Sequence, residues 1–85
     1  MDYLKMEKDI HELMKENHIN CEVVKINKED KMIGVEILWG DWKHEHLRFD
    51  GLMEENFNNI RKIYTVTTEE DGTDCYSAIH YCYFK

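Results

Sequence analysis

Two short spacings in this chain carry residue types that hold metals or move protons. His44-Glu45-His46 and His80-Tyr81-Cys82 each place two donors two residues apart. On a β-strand, side chains two apart share a face, so each triplet would present a pair of nitrogen or sulfur donors on one side of a sheet. Two such pairs make four donors, the number a closed zinc site takes. His44, His46, His80 and Cys82 are therefore the candidate metal ligands, with zinc the implied cofactor. The bland account of the same residues is surface histidines beside a half-buried cysteine, and no standard spaced-cysteine zinc signature occurs. His11 and His18, seven apart, read as flank and end positions of a helix, His18 near the C-terminus where the dipole favours a cation.

Nucleophilic chemistry has less to stand on. Cys75 or Cys82 beside His80 would need a pocket, an oxyanion donor and a group that orients the base. No GxSxG, phosphate-binding loop or dinucleotide glycine pattern is present. The expectation is a protein that is not an enzyme. Paired carboxylates such as Glu54/Glu55 and Glu69/Glu70 do not converge unaided, because neighbours on a helix or strand point apart.

The elements that must position these residues follow from periodicity. Residues 2–17 read as an amphipathic helix with Asp2 as N-cap and Tyr3, Met6, Ile10, Leu13 and Met14 on one stripe. Cys21 to Ile26 reads as a strand, followed by a polar turn at Asn27 to Lys31. In Met32 to Trp39, Ile33, Val35, Ile37 and Trp39 alternate onto one face. Gly40-Asp41 signals a turn, and Trp42 to Phe49 reads as a third strand. A three-residue loop there would set Val35 opposite Leu47 and Ile33 opposite Phe49, leaving His44 and His46 on the face away from the helices. Asp50-Gly51 then opens a short helix with Leu52, Met53, Phe57 and Ile60 inward. A hairpin closes the chain, Arg61 to Thr68 and Cys75 to Phe84 around Asp71-Gly72. A two-residue loop sets Val66 opposite Ser77 and Tyr64 opposite Ile79. Tyr64, Val66, Ile79, Tyr81 and Tyr83 then form the core face, with Tyr76, His80 and Cys82 on the other. The expected fold is α+β, in the order αβββαββ, a mainly antiparallel five-stranded sheet with helices packed on one face.

Composition sets the class. The 85 residues are 42% hydrophobic and 34% charged, with no proline, and read as one domain over 1–85. The longest uncharged stretch, ten residues from Cys75 to Phe84, is far short of a membrane span. The opening MDYLKMEKD breaks any apolar run with charges, so the expected location is cytoplasmic, with no membrane partner. Three cysteines without paired spacing read as thiols.

The net charge of −7 argues against direct binding to nucleic acid and for steering onto basic surfaces. The densest acidic points are Asp50, Glu54 and Glu55, then Glu69, Glu70, Asp71 and Asp74. Beside them Trp42, Tyr76 and Phe57 are the aromatic anchors a partner would bury. Size, acidity and element order, over the opening helix, three strands and second helix of residues 2–60, resemble the small anti-CRISPR inhibitors encoded by phages and mobile elements. The C-terminal hairpin, 61–84, departs from the all-helical ending of some members. The resemblance implies a protein that binds an RNA-guided CRISPR nuclease and blocks its DNA loading. The expected function is thus a non-enzymatic acidic interaction protein that inhibits a basic, nucleic-acid-binding partner. The alternative is a small zinc-stabilised domain.

Overall fold

A computed structural model describes the backbone of residues 2–37, 42–69 and 76–85, with side chains placed outside 42–47, 68–69 and 76–77. The elements run α1(Tyr3–Glu16), β1(Cys21–Asn27), β2(Met32–Ile37), α2(Trp42–Asn56), β3(Ile60–Glu69) and β4(Tyr76–Phe84). The described sheet has four antiparallel-paired strands in the order β1-β2-β4-β3. The class is α+β, as expected, but the five-stranded αβββαββ order is corrected to αββαββ.

The correction falls on residues 42–49. Trp42 to Phe49 is not a strand but the first half of α2, and Asp50-Gly51 sits inside that helix rather than opening it. The residue types explain this. Trp42–Asn56 contains no valine, isoleucine or threonine, the residues that favour strands, and is rich in Lys, Glu, Leu, Arg and Met, which favour helices. Phe49 and Met53, four apart, are both fully buried, the helical rather than the strand period. The proposed pairings of Val35 with Leu47 and Ile33 with Phe49 are absent. Val35 lies between Val23 and His80, and Ile33 between Ile26 and Cys82. Gly40-Asp41 and Trp39 lie outside the described residues.

Helix α1 forms as read. Asp2 Oδ1 accepts from the Lys5 amide at 3.2 Å, which satisfies one of the orphan donors of the first turn. Ile10 and Met14 are buried, with Tyr3, Met6 and Leu13 packed beside them. The helix stops at Asn17 through a pair of reverse bonds, His18 N to Lys15 O and Ile19 N to Met14 O. His18 has φ 60, and this left-handed residue with its buried hydrophobic contact between Ile19 and Met14 is a Schellman stop. Both helices also end on an asparagine whose side-chain amide donates to the carbonyl four residues back: Asn17 to Leu13, and Asn56 to Leu52, each at 2.8 Å.

The hairpin register also differs. Val66 faces Ile79 and Tyr64 faces Tyr81, two residues away from the two-residue-loop expectation. An even shift keeps the same residues together on each face, yet the core is on the opposite face. Ala78, His80, Cys82 and Phe84 are buried beneath the helices, whereas Tyr64 is 63% exposed. The reason is the neighbour β2. Its apolar face of Ile33, Val35 and Ile37 is buried in the core, and its register aligns that face with Cys82, His80 and Ala78. The tyrosines take the open face, where a ring can pack while its hydroxyl stays wet.

Two opposite substitutions test this backbone. A Cβ on Gly51, within α2, would meet nothing within 4 Å, so Gly51→Ala should stabilise by about 0.5–1 kcal/mol. At His18 the reverse applies: His18→Gly relieves a left-handed side-chain position and should stabilise by about 0.5–1 kcal/mol. Denaturant unfolding of both variants measures the two changes, and a loss of stability in either contradicts the assigned backbone.

Candidate functional site

The sheet brings two of the four expected donors together and buries them. His80 and Cys82 are adjacent on β4, on one face as expected, but that face lies under the helices and both side chains are 0% exposed. His80 is clamped by two consecutive residues of α2. The Phe49 ring lies against the imidazole at 4.5 Å between centroids, and Asp50 Oδ1 sits 2.8 Å from His80 Nδ1. A carboxylate at that distance fixes the proton on Nδ1, so Nδ1–H donates to Asp50 while Thr65 Oγ1, 3.1 Å away on β3, is a second acceptor. Acid and hydroxyl thus share one ring nitrogen. Relay to a nucleophile requires them on opposite nitrogens; this arrangement is a clamp that ties α2, β3 and β4 together.

The other expected ligands sit in a different context. His44 and His46 are in the first turns of α2, and residues two apart on a helix are not neighbours, which removes the strand-face premise of the four-donor reading. Among the described residues no group of three or more His, Cys, Asp or Glu comes together as metal ligands. Both described thiols are held protonated. Burial raises Cys21 from 9.0 to about 11, and burial with the nearby Asp50 carboxylate raises Cys82 from 9.0 to about 12. The Cys82 thiol points its hydrogen at its own strand, 3.8 Å from the His80 carbonyl. Thiolate is the species that attacks or ligates. Cys75 lies outside the described residues.

The acidic residues fare differently. Asp50 is half-buried and committed to His80, so it is a structural carboxylate rather than a free docking charge. Glu54 and Glu55 are exposed on the last turn of α2 and form no ion pair with any described residue. Glu69 and Tyr76 fall on the adjoining ends of β3 and β4, where Glu69 pairs with Tyr76 in the ladder. Trp42 begins α2 instead of a strand, and Glu70, Asp71 and Asp74 lie outside the described residues. A feature that sequence reading missed lies between the helices. Asp9, Glu12 and Glu16 of α1 line an open groove of about 290 Å³ with Leu13, Asn56 and Phe57. The signal was present in the spacing: positions 9, 12 and 16 form one helical ridge. A second, wider depression of about 700 Å³ is lined by His11, Lys15, His18, Ile19, Asn20 and Cys21.

Acids exceed bases in both layers, by more in the helices. Residues 2–16 carry five acids and three bases, and 48–56 carry three acids and one base. Over 21–37 and 60–85, the sequence of the strands and their connections, eight acids stand against six bases. No helix among the described residues is long and apolar enough to cross a membrane. Neither family models, nor curated proteins, nor solved structures give a match to this chain.

Removing the clamp should destabilise the fold. Asp50→Ala leaves the Nδ1–H of a fully buried histidine without its main acceptor, at a cost of about 1–3 kcal/mol. Asp50→Asn, which keeps an acceptor oxygen, should recover part of that, and a thermal melt separates the two. The thiols give a second test. A thiol raised in the folded state adds stability that is complete below 9.0 and fades as pH climbs toward 11–12. Stability should therefore fall across pH 9–12, and less steeply in Cys82→Ala than in the parent.

Proposed function

We propose that this protein is an acidic interaction module that inhibits a basic, nucleic-acid-binding partner by occupying its cationic groove, without catalysing a reaction. The observation that carries this reading is the helical layer. Its carboxylates outnumber its cations, and three of them converge on a groove containing Leu13 and Phe57. Uncompensated charge on a small body speeds encounter with the opposite sign. An apolar patch inside the acidic rim supplies the desolvated contact that charge alone does not.

The acids split by role. Asp50 belongs to the fold, while Glu54, Glu55 and Glu16, with Glu12 held only by an exposed pair to Lys8 at 3.9 Å, are presented to lysines and arginines of a partner. Among partners of this class, an RNA-guided CRISPR nuclease is the one implied by the resemblance in size and acidity, the three-strand opening over 2–60 having given way to helix α2, and it sets the assay. Blocking DNA loading requires only that the module reach the cationic channel first, since the channel recognises backbone charge.

The test is a four-site reversal, Glu12→Lys, Glu16→Lys, Glu54→Lys and Glu55→Lys, at positions exposed in the fold. With rim pairs worth about 0.2–1 kcal/mol each, affinity for a purified RNA-guided nuclease should drop at least about tenfold. Binding of the parent should weaken as salt rises. Undiminished inhibition by the reversed variant, with its melt unchanged, would overturn the reading.

A further inference from the structure

Strand β3 is an edge of the sheet, and among the described residues no strand pairs with its outer side. It is ten residues long and its register with β4 is unbroken from Lys62 to Glu69. The other edge, β1, carries a bulge between Val23 and Lys25 and two charged side chains, Glu22 and Lys25, devices that discourage pairing. β3 has neither across its middle: Ile63 to Thr68 is uncharged and made of β-formers, Ile-Tyr-Thr-Val-Thr-Thr. Two large apolar side chains on this edge, Tyr64 and Val66, are 63% and 38% exposed.

We propose that β3 pairs antiparallel with β3 of a second copy of this chain, joining two four-stranded sheets into one of eight strands. The strand is complementary to itself. It opens on Arg61 and Lys62 and closes on Glu69, so antiparallel self-pairing brings the basic end of each copy to the acidic end of the other. The sheets are continuous, with helices on the same side, only if opposed residues share a face. That condition puts the two-fold axis on a residue, and setting Arg61 opposite Glu69 puts it at Thr65, with Tyr64 opposite Val66 of the second copy and Ile63 opposite Thr67. The Tyr64–Val66 pair is the aromatic–β-branched combination that stabilises antiparallel ladders, and it forms twice, covering both exposed side chains. Isologous pairing closes on itself and cannot propagate through this edge.

The contact is narrow, below the roughly 1,200–2,000 Å² of stable interfaces, so the dimer should be weak, with Kd about 10–100 µM. Sedimentation equilibrium of the full chain reads it. The parent should move from monomer to dimer as concentration rises. Tyr64→Lys with Val66→Lys, both on the open face, places like charges opposite one another and should hold the protein monomeric. Tyr64→Lys with Val66→Glu places opposite charges at the same two contacts and should restore association. A parent that stays at 10.3 kDa up to about 1 mM overturns the proposal. A dimer that the double-lysine variant leaves intact, with its circular dichroism unchanged, overturns it equally.

Discussion

Val35 stands opposite His80 and Ile33 opposite Cys82 where β4 lies between β2 and β3, and that register decides which side of the sheet is dry. β2 brings three large aliphatic residues on one face; β4 brings none on its matching face, only Ala78, His80, Cys82 and Phe84. Because ladders fix facing residues to one side, β4 follows β2 despite its own composition. The cost is an imidazole placed in the core, where an unsatisfied N–H is expensive. Asp50 and Thr65 remove that cost. The clamp is the consequence of a register chosen elsewhere.

Legibility in the sequence tracked how many independent signals each element carried. Helix α1 had an N-cap and an apolar stripe, and both agree with the structure. β2 had clean alternation and folds as read from Met32 to Ile37. Residues 42–49 had one signal, a Gly40-Asp41 turn that would return Leu47 and Phe49 opposite Val35 and Ile33, opposed by the lack of any β-branched residue; propensity and helical period prevailed. The C-terminal hairpin was read from its own residues, and those favour the tyrosine face as core. Only the neighbouring strand overrules them, and strand order is a tertiary property. The same gap hid the site. Asp50 looked like a docking charge because nothing local places it 2.8 Å from a histidine thirty residues away.

Charge is unevenly spread over the molecule. The helical layer carries the larger excess of carboxylates, and the cations of the strands include Arg61 and Lys62 over the Tyr83 ring at 5.7 and 4.8 Å. A net charge of −7 is therefore only part of the description. Long-range steering follows the net value, but close docking follows the face presented.

Net charge also bears on self-association. Two bodies of like net charge repel, and edge pairing keeps the acidic layers side by side rather than face to face. Salt screens both the repulsion between the two bodies and the attraction of Arg61 and Lys62 for Glu69 at the strand ends, over a Debye length of about 8–10 Å near physiological ionic strength, whereas backbone pairing and the Tyr64–Val66 contact do not depend on it. Salt should thus weaken acidic docking onto a cationic groove and change contact through β3 much less. Unequal salt responses are a sharper discriminator than either affinity alone, because a single nonspecific charge effect would move both alike.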